Sequence, residues 1–137
     1  MKRVRGHHLL CMALFAGHGY DDAFAANMAE VIGALRAGEG FQLVEGPDDI
    51  CGSCPNALPE GGCALGTGDV ARRDRAAFQA LGLSPGRRLG WQRAGGLLRA
   101  LTEEGFAAVC GGCRWAQAGL CSWALLQGRA GEAAASQ

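Results

Sequence analysis

The chain is poor in several things that would mark a familiar function class. Its 13 basic and 13 acidic side chains cancel, so it lacks the cationic excess with which nucleic-acid binders neutralise phosphate. Two short arginine groups, Arg72–Arg73–Arg75 and Arg87–Arg88, read as a solvated helix face and a turn. No nucleic-acid partner is expected. No apolar run approaches the length of about 18 residues that a membrane span needs, so no membrane partner is expected either. Lys2, Arg3 and Arg5 ahead of the apolar run Leu9–Ala16 imitate a signal peptide. However, His7 and His8 interrupt the approach, and no small-residue cleavage site follows directly. The sequence reading is therefore of a cytoplasmic protein. Glycine-rich nucleotide loops are missing as well, so no nucleotide cofactor is expected. Aromatic residues are scarce, at 7%. Much of the 49% hydrophobic content is Ala and Cys, which bury little area each. A chain of 137 residues with so thin a core is one that a metal would usefully staple.

Seven cysteines stand against these absences. In a reducing compartment, regularly spaced thiols indicate metal ligation or catalysis rather than disulfides. Six of them fall in two similar segments. Cys51 and Cys54 form a Cys-x2-Cys pair, with Cys63 after eight further residues. Cys110 and Cys113 form the second pair, with Cys121 after seven. Glycine follows the first cysteine of each pair, which frees the backbone to turn both sulfurs toward one ion. Cysteines serving only as small hydrophobes would lie on helical stripes among Leu and Val. These lie in glycine-rich segments instead.

Six thiols do not divide into the fours that zinc or an iron–sulfur cluster takes. Cys51, Cys54, Cys110 and Cys113 could clamp one centre. Three thiolates of one segment could instead join a ligand from elsewhere. Each segment could also hold its own centre and borrow a fourth ligand from Cys11 or a histidine. His7 and His8 precede Cys11 by four and three residues, so on a helix they share its side. That group could complete a site, or pair an imidazole base with a thiol nucleophile. Equally, Cys11 could simply pack in the core. His18, between glycines, reads as a turn residue.

Periodicity makes the remainder mainly helical, with at most a small sheet, in one domain over 1–127 and a flexible tail over 128–137. A buried helix spans His7–Ala16. Asp21 or Asp22 caps a second, whose stripe is Phe24, Met28, Val31, Ile32 and Leu35. Phe41–Val44 is a short strand. Asp69 caps a third helix with Val70, Ala77, Phe78 and Leu81 inward. Ser84-Pro85-Gly86 is a turn. A fourth helix spans Leu89–Leu101, with Trp91, Ala94, Leu97, Leu98 and Leu101 on one face. A brief helix over Glu103–Val109 delivers Cys110.

Several stretches together carry a resemblance: Arg5-Gly-His7-His8-Leu-Leu-Cys11, Gly17-His-Gly19-Tyr20, Asn27-Met28, Asp48-Asp49-Ile-Cys51-x2-Cys54-Pro55 and Cys110-x2-Cys113-x-Trp115. Over nearly the whole chain the sequence resembles the domain of unknown function 1284 family, small bacterial and archaeal proteins proposed to bind iron–sulfur. The resemblance implies an iron–sulfur cluster, [4Fe-4S] in the first instance, rather than zinc. It also implies that His7, His8 and Cys11 belong to the functional pattern. The spacer before Cys121 departs from the family by being longer, so Cys121 is the ligand the resemblance supports least. The expectation is an electron-transfer or redox-sensing protein with a redox protein as partner. The alternatives are a zinc-stabilised interaction module and an enzyme using Cys11 with His7 or His8.

Overall fold

The computed structural model describes residues 2–15, 21–45, 48–51, 63, 67–110 and 122–135. Among them it has six helices and three short strands: β1 (Lys2–Arg5), α1 (His8–Leu14), α2 (Asp22–Arg36), β2 (Phe41–Val44), α3 (Thr67–Leu81), β3 (Arg88–Leu89), α4 (Trp91–Arg99), α5 (Glu103–Cys110) and α6 (Trp123–Ala135). The protein is thus mainly helical with a small sheet, as its periodicity indicates. No helix among the described residues is long and apolar enough to cross a membrane.

The sheet runs β1-β2-β3. β1 and β2 are parallel, with Val4 opposite Leu43, and β2 and β3 are antiparallel, with Phe41 opposite Leu89. A parallel pair needs a crossover, and α1 and α2 provide it. Val4, Phe41 and Leu43 are fully buried and anchor the sheet in the core. β1 lies where the sequence reading saw only a basic stretch before an apolar run. The other edge strand, β3, is also new to the structure, and α4 starts at Trp91 rather than Leu89. Two residues are too few for strand alternation to show in a sequence.

The second helix forms as its stripe predicts. Asp21 Oδ1 accepts a hydrogen bond from the Phe24 N–H, and Phe24, Met28, Val31, Ile32 and Leu35 are all buried. Gly38 closes the helix at φ +106°, a conformation that glycine adopts without Cβ strain. Val70, Ala77, Phe78 and Leu81 of α3 are likewise buried. Residues 128–135, within the 128–137 segment expected as a tail, are helical and continue α6, and Ala130 and Leu126 have no exposed surface. Alanine and glycine carry too little hydrophobicity to announce such a helix, yet α6 packs against α4 and α1, with Leu126 and Ala130 buried. Trp123 fixes the start of α6 by donating Nε1–H to the Leu101 carbonyl at 2.9 Å.

α3 is the strut of the functional region. On one side it packs against α5, where Arg73 donates to the Val109 carbonyl at 2.6 Å and to Asp69 at 2.9 Å. Arg73 is therefore buried, and only its neighbours Arg72 and Arg75 form the solvated face expected of all three. On the other side α3 meets the turn after β1. There a Cβ on Gly6 would stand 2.5 Å from the Asp74 carbonyl oxygen, a position that nothing larger than glycine can share. Gly6→Ala should destabilise the fold by about 1–3 kcal/mol, as overpacking against backbone does. Gly33→Ala, on the open face of α2 with nothing within 4 Å, should be neutral or stabilise by up to about 1 kcal/mol. Chemical denaturation of the two variants checks both.

Candidate metal centre

The N-terminal segment delivers Arg5, His7 and His8 to two buried aspartates. Asp74 comes from α3 and Asp48 from the turn that precedes Cys51. Asp74 is 1% exposed, and each of its oxygens accepts two bonds. Oδ2 takes Nε and Nη2 of Arg5, both at 2.8 Å. Oδ1 takes the His7 backbone N–H at 3.1 Å and His7 Nδ1 at 2.6 Å. Asp48 repeats the arrangement. Its Oδ2 takes the Arg5 backbone N–H and His8 Nδ1, each at 2.8 Å, and its Oδ1 takes the backbone N–H groups of Ile50 at 3.0 Å and Cys51 at 3.1 Å. Each carboxylate thus fills the roughly four acceptor positions it has. Each also fixes one imidazole through Nδ1. The rings lie side by side, centroids 4.5 Å apart.

The turn that carries Cys51 is secured independently. The Asp49 carboxylate accepts the Arg3 N–H at 2.7 Å, and Asn27 of α2 donates to the Asp49 carbonyl at 2.8 Å. The result places the Cys51 sulfur beside the cluster, where Nη1 of Arg5 donates to it at 3.6 Å. A ring nitrogen of His8, a carboxylate oxygen of Asp48 and the Cys51 sulfur lie within 4.8 Å of one another.

Burial sets the electrostatics of this cluster. It pushes the Cys51 thiol up to about 11, with the Asp48 anion adding to the effect and the Arg5 guanidinium opposing it. Cys51 without a metal is therefore a thiol at neutral pH, and a metal must displace its proton to gain a thiolate. Burial would raise both aspartates, but hydrogen bonds and neighbouring positive groups outweigh it. His8 and backbone N–H groups hold Asp48 well below the usual carboxylate range, and His7 and Arg5 hold Asp74 low. Burial lowers His7 from 6.5 to about 4, with His8 nearby adding to the effect, against the pull of Asp74. His7 is thus a neutral imidazole that donates Nδ1–H. Arg5 is the buried guanidinium that pairs with Asp74, and His8 is the ring that faces Asp48.

The structure places the sequence-derived candidates as follows. His7, His8 and Cys51 come together. Cys11 is half-buried on α1 and packs against the core. Cys63 is half-buried, and Cys110 is buried at the end of α5. Cys54, Cys113 and Cys121 lie outside the described residues, as do His18 and Trp115. The second cysteine segment joins the same scaffold through α3, because Arg73, which holds the carbonyl before Cys110, directly precedes Asp74. Asp74 was not a candidate from the sequence. Its signal was there: it falls in the apolar series Val70, Asp74, Ala77, Phe78, Leu81, the one acid on a buried stripe. Arg5 and Asp48 stood in the quoted motifs without an assigned role.

A proton balance follows. Because folded His7 binds its proton only near pH 4, against 6.5 in the unfolded chain, the unfolded chain takes up more protons between pH 6.5 and 4. Stability should be fully present above about pH 6.5 and fall as pH drops toward 4, by on the order of 3 kcal/mol from this residue. Denaturation midpoints of the metal-free chain between pH 4 and 8 measure this. His7→Gln should flatten that part of the profile, and a chain that gains stability on acidification would show a protonated His7 paired with Asp74.

Comparison with known proteins gives a single kind of likeness. No curated protein and no solved structure matches the chain. The family model described as "Protein of unknown function (DUF1284)" matches residues 19–119, which takes in the Asp48–Cys51 turn, α3 and both Cys-x2-Cys pairs and starts after the His7–His8 motif. The chain belongs to the domain of unknown function 1284 family.

Proposed function

We propose that this chain is an iron–sulfur protein of the cytoplasm that transfers or senses single electrons, exchanging them with a redox protein partner. Thiolates of the two cysteine segments hold the cluster, [4Fe-4S] in the first instance, and Cys51 is the ligand that stands at the buried histidine–aspartate cluster. The observation that carries the reading is the Arg5 guanidinium. It is 5% exposed, shares its charge between Asp74 and the Cys51 sulfur, and reaches that sulfur at 3.6 Å. A buried N–H donor aimed at a cysteine sulfur supports negative charge there, and such bonds tune the reduction potential of thiolate-bound clusters. The residues present fit the group in their donor chemistry: a cysteine sulfur with a charged hydrogen-bond donor that offsets the negative charge of a bound thiolate.

When bound, a cluster supplies one-electron chemistry. The protein's own groups set the conditions for it. Arg5 offsets the thiolate charge, Asp48 holds the Cys51 backbone N–H and His8, and Asp74 keeps Arg5 in place. α3 ties the end of α5, and with it Cys110, to the same strut. A zinc-stabilised module is the second reading, favoured by the proximity of an imidazole to a thiol, since zinc accepts mixed nitrogen and sulfur donors.

Protein purified without oxygen should be brown, with broad absorption near about 400 nm and matching iron and sulfide. Cys51→Ser should lower iron and sulfide together, whereas Cys11→Ser should leave both in place. A colourless protein with stoichiometric zinc would replace the redox reading by the structural one.

A further inference from the structure

The reading above leaves open what completes a centre whose cysteines do not divide into fours. Two observations bear on it. First, among the described residues one ring nitrogen of His8, a carboxylate oxygen of Asp48 and the Cys51 sulfur lie within 4.8 Å of one another. Second, Asp48 is saturated. All four of its bonds are to N–H donors of this chain, and two of them, from the Cys51 backbone and His8 Nδ1, are to the other members of the group. A carboxylate so occupied orients ligands and does not serve as one. The pair left to bind a metal is His8 and Cys51.

We infer that His8 is a nitrogen ligand of the same metal centre as Cys51, presented through Nε2, with Asp48 as the residue that positions both. The inference rests on the reading of Cys51 as a metal ligand and adds the identity of a non-cysteine partner. Nδ1 of His8 faces Asp48 at 2.8 Å, so a neutral ring, the form that binds metal, carries its proton on Nδ1 and offers its lone pair at Nε2. A carboxylate behind an imidazole is the arrangement that raises the basicity of metal-bound histidine. His8 is buried enough to hold that orientation, with a side chain 12% exposed. The Asp48 backbone contacts also make the spacing of the two ligands a property of one rigid turn: the same carboxylate grips the chain at Arg5, three residues before His8, and at Cys51 itself. His7, though adjacent, is turned to a different carboxylate, so the two histidines have separate roles: His8 on the Cys51 side, and His7 on the Arg5–Asp74 side. An imidazole in place of a thiolate removes one negative charge from the centre, and in iron–sulfur proteins that substitution raises the reduction potential.

The test uses the full chain, labelled with nitrogen-15 only at its three histidines and reconstituted anaerobically with iron and sulfide. Pulsed paramagnetic resonance of the paramagnetic form should show one strongly coupled histidine nitrogen. The coupling should persist in His7→Gln and His18→Gln and vanish in His8→Gln. A parallel titration with cobalt(II) alone should show sulfur-to-cobalt absorption, with affinity lowered about 10–100-fold in Asp48→Asn. Wild-type protein that loads iron but shows no histidine coupling, or keeps it in His8→Gln, overturns the assignment of His8 and leaves thiolate ligation standing. Wild-type protein that takes up neither iron nor cobalt overturns both. The wild-type labelling result stands by itself if a variant fails to fold.

Discussion

The functional region is organised around the carboxylate of Asp74. It is buried, ionised and fully bonded, and all four of its bonds go to Arg5 and His7. A carboxylate in such a place would be untenable alone, and so would the Arg5 guanidinium. Together they fix the chain between β1 and α1 against the middle of α3, and Gly6 between them lets the two backbones touch. Replacement of a buried ion pair by apolar groups often leaves stability unchanged or improved, so this pair is poorly explained as a device for stability. It is better explained by what it positions: a guanidinium N–H at the Cys51 sulfur, and two imidazoles each held by a carboxylate.

Asp48 extends the same logic toward the first cysteine segment. Its turn would have little reason to hold one shape, because glycine and proline follow it closely and short loops have few contacts of their own. Four hydrogen bonds from β1, α1 and the turn itself supply that shape. The cluster that results holds a thiol that burial keeps protonated, and a metal ion would displace that proton and take the thiolate.

How much of this was legible in the sequence depended on whether a residue's role was local. The stripe of α2, its Asp21 cap and the Ser84–Gly86 turn are local patterns, and they appear as read. So does the inward face of α3. β1 and β3 escaped because a short strand is defined by its neighbours. α6 escaped because its later residues are mostly alanine and glycine, too weakly hydrophobic to make a visible stripe. At the site, His7, His8 and Cys51 were readable as chemistry-bearing types, but their grouping was not. His8 lies three residues from Cys11 and far along the chain from Cys51, yet Asp48 links it to Cys51. Asp74 was visible only as an interruption of an apolar stripe. Arg73 looked like surface charge, and its bond to the Val109 carbonyl depends on a helix that no local pattern places beside it.

The central claim is that the Arg5–Asp74 pair acts as a unit that organises this region. A double-mutant cycle on folding stability tests it most directly, with Arg5→Met, Asp74→Asn and the two combined. Each single change should cost about 3–5 kcal/mol, because it leaves the other charge buried without its partner. The combined change should cost less than the sum of the two by about 2 kcal/mol or more. Additivity within about 0.5 kcal/mol would show two independent residues and contradict the account.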